Sequence, residues 1–252
     1  MKKLALFLCL LLCFGLVTGC GDSEPAKTDA PTDAPTTAAP TETSIAYPEP
    51  DKIIALTFDD GPNDHMNTII DVFEEYGGHA SFFVIGKKVS GNAEIMARAV
   101  QEGHEIGNHS YNHVDITVLS EAEILNEVSM TQNAVKEATG VEPVWYRPPF
   151  LRSSDQTFSL IQMPHAGCLS SVGDGSNDNL AEDRHYRAIN GAADGSIMLL
   201  HCNDITAEIL PKILHDLKMQ GYEFVTISEL FARAGVDPVP NNGHYETTAD
   251  AQ

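Results

Sequence analysis

The chain has 252 residues and a formal charge of −21, with 42% hydrophobic residues. That is enough for one well-filled core, and the acidity argues against a polyanionic nucleic-acid partner. Five cysteines, three of them within the first 20 residues, leave too few for a cysteine-built zinc cluster.

The first 19 residues, MKKLALFLCLLLCFGLVTG, carry two lysines, a long apolar run and a small residue at the end. This is the pattern of a secretory signal, too short for comfort as a membrane span. Cys20 follows directly, and LVTGC looks like a bacterial lipobox, in which the cysteine becomes the lipidated first residue. The expectation is a protein outside the cytoplasm, lipid-anchored to a bacterial membrane. Removing a leader with two lysines and no acid takes the charge from −21 to −23. Residues 20–50 contain Asp, Thr, Ala and six prolines, with almost nothing to bury, and read as a disordered tether. Residues 51–235 remain as one domain, followed by a tail over 236–252 expected to be loose.

Within 51–235, short apolar segments alternate with amphipathic ones. IIALTF, ASFFVIG, HEIGNH, VWYRPPF, GCLSSV, SIMLLH and EFVTIS read as strands. MNTIIDVFEEY, AEIMARAVQEG, EAEILNEVSMTQNAVKEAT and AEILPKILHDLKMQG read as helices, the last expected to start near Ile209 because Pro211 suits a first turn. Such alternation predicts an α/β fold with a parallel sheet, and about seven strands fit a distorted (β/α) barrel. Functional groups then gather at the C-terminal strand ends.

Those ends carry Asp59 and Asp60, then His109 and His113, then Arg147, and finally His201. Two histidines four apart on a helical turn share a face and can share one metal ion, with a carboxylate as third ligand. Adjacent aspartates cannot both face one site from a regular strand, so a bend allowed by Gly61 and fixed by Pro62 is expected. Base, acid, cation and metal ligands are the inventory of metal-assisted hydrolysis.

With TFDDGP, ASFFVIG, GHEIGNHSYNH, RPPF, GSIMLLH and GYEFVTISEL in order, the sequence resembles the polysaccharide deacetylases, carbohydrate esterase family four. The resemblance covers essentially the whole domain. It implies a distorted β/α barrel that removes acetyl groups from a carbohydrate polymer with the help of a divalent metal, zinc or else cobalt or nickel. Asp60, His109 and His113 would hold the metal. Asp59 would be the general base, kept ionised by Arg147, and His201 the general acid. The Phe150 backbone N–H would stabilise the oxyanion and Leu199 would line the acetate pocket.

Two departures from the family pattern stand out. Its fourth motif carries Asp-Trp, whereas VGDGSNDN offers Asp178 followed by Asn179, making Asp178 the candidate partner of His201. Asp174, flanked by glycines, reads more readily as a turn residue, though it is the alternative if the loop register differs. The last motif usually reads His-Asp, but here Cys202 and Asn203 follow His201, and Cys202 could pair with Cys168 or both could stay free thiols. A polysaccharide substrate, peptidoglycan first, a lipid anchor in the membrane and a monomeric state are expected. Competing classes are a non-catalytic glycan-binding lipoprotein and a metal-capturing one. Neither needs a base–acid pair.

Overall fold

The computed structural model describes residues 46–175, 181–240 and 243–251. The proposed signal, Cys20, and all but the last five residues of the tether lie outside the described residues. So does Asp178. Among the described residues no helix is long and apolar enough to cross a membrane.

The central strand is β1 (Lys52–Gly61). It pairs in parallel with β2 (Ser81–Val84) at its C-terminal half, with β7 (Tyr222–Phe224) at its N-terminal end, and with β6 (Ser196–His201) along most of its length. β3 (Glu105–Asn108) extends the sheet beyond β2, and the two-residue β5 (Ser170–Ser171) lies beyond β6. Tyr146 forms single bridges to Asn108 and to His165. His165 begins β4 (His165–Ala166), which pairs with β8 (His244–Tyr245), and Thr247 bridges back to Ser196. This closes the expected barrel, with the VWYRPPF segment contributing one bridging residue rather than a full strand.

The tail after Val236 is not loose throughout. β8 fills the gap between β4 and β6, and Tyr245 is only 3% exposed. Tyr245 Oη and the Val239 carbonyl are hydrogen bonded at 2.9 Å, and the ring packs edge-on to Trp145. No apolar run announced this strand, because only two residues of it pair.

Among the described residues eight α-helices surround the sheet: α1 (Asp64–Tyr76), α2 (Gly86–Val89), α3 (Ala93–Gln101), α4 (Glu121–Thr139), α5 (Asp155–Leu160), α6 (Ala181–Gly191), α7 (Asp204–Met219) and α8 (Ile227–Arg233). α1 starts where the Asn63 side chain accepts from Met66 N, and α4 opens with a Ser120–Glu123 capping box. α7 begins at Asp204, capped by Asn203, not near Ile209, so Pro211 lies inside the helix. The cap at Asn203 decides the start, outweighing the preference of proline for a first turn.

Strand alternation partitions the core. Ile54, Leu56 and Phe58 of β1, with Met198, Leu200 and Cys202 beside β6, pack beneath α1, α3 and α7. Ala55 and Ile197 face the other way and meet Phe83, Trp145, Tyr245 and the apolar face of α8. Above Ala55, the same inward row continues with Thr57 and Asp59. Above Ile197 it continues with Leu199 and His201. The apolar end of the barrel interior is thus sealed, and its other end is polar.

Candidate active site

Asp59 and His201 are register partners across the parallel β1–β6 pair, so their side chains emerge side by side. Asp60 would point away from them in a regular strand. Instead it adopts a left-handed conformation (φ 70°), and the β1–β2 register shifts between Asp59 and Gly61. The bulge brings both aspartates to one cleft, and its left-handed residue is Asp60 itself, directly ahead of the cis Gly61–Pro62 bond.

His109 follows β3 directly and is 2% exposed. Its Nδ1 lies 2.7 Å from the Arg147 carbonyl, which as an acceptor fixes the proton on Nδ1 and frees Nε2. His113 reaches the same point from an irregular loop, not a helical turn. Left-handed residues Ser110 (φ 62°) and His113 (φ 57°) fold that loop back, leaving the rings 5.0 Å apart.

The three donors converge. Asp60 Oδ1 stands 3.2 Å from His113 Nε2 and 3.7 Å from His109 Nε2. One ligand atom from each lies within 4.8 Å of the others. Asp60 Oδ1 is buried with no hydrogen-bond partner, an arrangement that costs free energy unless a cation satisfies it. Burial holds the His109 imidazole below its usual pKa, hence neutral, against the opposing pull of Asp59 and Asp60. Two imidazoles and a carboxylate suit a divalent cation such as zinc, cobalt or nickel.

Arg147 is fully buried and spends its guanidinium on four acceptors. Nη1 donates to Asp59 Oδ1 (2.8 Å) and to Thr57 Oγ1 (2.7 Å), while Nη2 and Nε donate to the Gly167 and Ala166 carbonyls. The guanidinium lies 4.1 Å from the Phe83 ring centre. Burial alone would raise the Asp59 pKa, but Arg147, with His109 and His201, outweighs it and holds the carboxyl below its usual range.

The partner of His201 is Asp174. Asp174 Oδ1 lies 2.7 Å from His201 Nδ1, and Oδ2 accepts from His201 N at 2.7 Å. Thr206 Oγ1 also donates to Asp174 Oδ2, and Asn203 Nδ2 to the Asp174 carbonyl. Asp174 is 3% exposed and sits in a turn, so it is both the expected turn residue and the partner of His201, the role expected of Asp178, which lies outside the described residues. The residue following the carboxylate is therefore Gly175, which lines the cleft where the family pattern has tryptophan. Thr57 also escaped the sequence reading. Its place two residues before Asp59 puts it on the same strand face, and that was the available signal.

Phe150 and Leu199 complete the walls of a cleft of about 360 Å³ that includes Asp59, Asp60, His109, His113 and His201. Phe150 holds φ 60° and is 59% exposed, and its ring packs against His113. A larger hollow of about 490 Å³ lies at the opposite end of β1, but it contains no such set of donors. Cys168 and Cys202 are free thiols, not a disulfide. His104 accepts from the Ala80 N–H, a structural role.

A carboxylate and an imidazole side by side, next to three convergent donors that could hold a cation, at the C-terminal end of a closed β/α barrel, have the composition of a hydrolase centre. A family model for polysaccharide deacetylases matches residues 46–163. The chain is 35% identical over 194 residues to a peptidoglycan-N-acetylglucosamine deacetylase of Bacillus cereus, covering 73% of this chain and 90% of that one. It is 39% identical over 191 residues to a bifunctional xylanase/deacetylase of Pseudobutyrivibrio xylanivorans, covering 74% of this chain and 32% of that one. A family 4 acetyl xylan esterase from Clostridium thermocellum, solved in complex with a cobalt ion, matches with a TM-score of 0.75 at 36% identity, covering 78% of this chain and 98% of that one. The chain belongs to the polysaccharide deacetylase family. It spans only 32% to 39% of the length of several curated relatives that it matches.

Proposed function

We propose that this protein is a metal-dependent deacetylase that hydrolyses acetamido groups on a cell-envelope polysaccharide, with peptidoglycan as the substrate. The observation that carries the reading is the pairing of Asp59 and His201 across β1 and β6 beside three convergent metal donors. One is held ionised by Arg147, the other is backed by Asp174. A binding module needs neither arrangement.

Asp60, His109 and His113 would hold the cation, zinc in our reading. When bound, it supplies a Lewis acid that makes water nucleophilic near neutral pH and draws charge from the acyl oxygen. Asp59 accepts the proton of the attacking water. His201 donates a proton to the sugar nitrogen as the C–N bond breaks, because an amine leaves only when protonated. The left-handed turn at Phe150 supports its N–H as an oxyanion donor, and Leu199 supports the acetyl methyl. Relatives named as peptidoglycan deacetylases, and the expected secretory leader over residues 1–19 just before Cys20, favour peptidoglycan over xylan. The same leader supports lipidation of Cys20 and a place outside the cytoplasm, anchored to the membrane.

Acetate release from peptidoglycan, chitin oligomers and acetylxylan, before and after chelation and with zinc or cobalt restored, tests this reading. Chelator-sensitive release from peptidoglycan is expected. Release from acetylxylan alone would replace the amide substrate with an ester, and no release from any of them by metal-loaded protein would remove the enzymatic reading. Incorporation of labelled fatty acid into the wild type but not into Cys20→Ala tests the anchor.

A further inference from the structure

Helix α4 buries Ile124, Glu127, Thr131 and Val135 along one face. A glutamate in such a row is costly unless both oxygens find donors. Glu127 is 6% exposed, and its donors all come from the loop between the two metal-ligating histidines. Oε2 accepts from Tyr111 N (2.9 Å) and Asn112 N (2.7 Å), and Oε1 from Asn112 Nδ2 (2.6 Å). The loop's other two N–H groups are met locally, Ser110 N by Asn108 Oδ1 and His113 N by Ser110 Oγ.

The carbonyls of the same loop are held from the opposite side. Gly86 N donates to the Ser110 carbonyl and Lys87 N to that of Tyr111, while Lys87 Nζ donates to that of Asn112. Packing here is tight. A Cβ on Gly86 would stand 2.5 Å from Thr131 Oγ1 and 2.6 Å from the Tyr111 ring. The loop is thus clamped between the start of α2 and a buried carboxyl group on α4. It needs a clamp, because Ser110 and His113 both hold left-handed backbone that non-glycine residues adopt at a cost. No local hydrogen bond reaches Tyr111 N or Asn112 N in place of Glu127.

We propose that Glu127 is a positioning residue of the metal site. By accepting from the consecutive N–H groups of Tyr111 and Asn112, it holds the folded-back loop that sets the distance of His113 from His109 and Asp60. Glu127 touches neither metal nor substrate and acts through the backbone. The inference rests on the metal-site reading above.

The test is cobalt(II) binding to the purified full-length protein, read by affinity and by the ligand-field absorption spectrum. Comparison is made among wild type, Glu127→Ala, Glu127→Asp and Glu127→Gln, with urea midpoints measured alongside. Loss of an outer-shell partner of a metal ligand typically weakens binding about 10- to 100-fold. Glu127→Ala is expected to fall in that range with an altered spectrum, and Glu127→Asp, whose carboxyl is withdrawn by one methylene, to follow it. Glu127→Gln keeps an acceptor for both N–H groups, and the Asn112 amide can rotate to face its NH₂, so this variant is expected to recover most of the affinity. Faster exchange of the Tyr111 and Asn112 amides should accompany the loss in the metal-free alanine variant.

An unchanged affinity and spectrum in folded Glu127→Ala would overturn the proposal. If the alanine variant does not fold, an unchanged spectrum in Glu127→Asp does the same. A wild type that binds no cobalt would overturn the metal site itself, an outcome readily told apart from the others.

Discussion

His201 meets Asp174 twice, through Nδ1 at 2.7 Å from Oδ1 and through its backbone N–H at 2.7 Å from Oδ2. One carboxyl group therefore sets both the ring and the strand end that carries it. Burial would lower the imidazole pKa, but the hydrogen bond and charge of Asp174 outweigh it, and the net direction is upward.

In its proposed role as acid, His201 must be protonated to act, so activity should fall as pH rises through this elevated pKa. Asp174→Asn removes the charge that elevates it. The basic limb of the kcat profile should then move to lower pH. A limb that stays in place would mean that Asp174 only orients the ring.

Asp59→Asn separates chemistry from cation binding. Loss of a positioned base costs about 10²- to 10⁴-fold. The variant should lose acetate release in that range while still binding zinc stoichiometrically, because Asp60, His109 and His113 are untouched. It should also unfold at lower urea concentration, since Arg147 is left buried without its anionic partner. Retained turnover at full metal occupancy would remove Asp59 from its role as base.

Gly107 lies under the ring that supports Arg147. A Cβ there would stand 2.4 Å and 2.5 Å from two Phe83 ring carbons, while the guanidinium lies 4.1 Å from the ring centre. Gly107→Ala should therefore destabilise the domain by about 1–3 kcal/mol, the usual cost of overpacking. Activity per folded molecule should fall as well, as Phe83 is pushed toward Arg147. Adding Phe83→Leu should recover part of the stability in urea unfolding, and no recovery would indicate that the strain lies elsewhere.

His165 is 1% exposed, and neither ring nitrogen has a hydrogen-bond partner among the described residues. Burial, with a smaller contribution from His244, lowers its pKa to about 4. Its depressed pKa contributes stability that is complete above the unfolded value near 6.5 and is lost as pH falls through about 4. His165→Phe loses no hydrogen bond and sits among Tyr146, Phe158 and His244. Its urea midpoint at pH 7 should match or exceed that of the wild type, and it should lose less stability between pH 6.5 and 4. A large loss at pH 7 would reveal a polar role for the imidazole.

Much of the site was legible because its chemistry is written in adjacent or evenly spaced residues. Asp59, Asp60, His109, Arg147 and His201 sit at ends of apolar runs, with His113 four residues beyond His109, and strand ends are where a β/α barrel collects its functional groups. The alternation of strands and helices likewise announced the barrel, since each apolar period reports a face that must be buried.

What the sequence by itself determined is which residue types the site contains and roughly which strands present them, because periodicity and side-chain chemistry are local properties. The tertiary structure alone decided that Asp174 backs His201, since nothing in the residues around Asp174 marks a contact with a strand end 27 residues away. It also decided that Asp60 turns inward through a bulge, that β8 closes the barrel, and that Glu127 meets a loop 15 residues away. Each of these depends on backbone groups finding partners far along the chain. A hydrogen bond to a distant N–H leaves no pattern in the neighbouring residues.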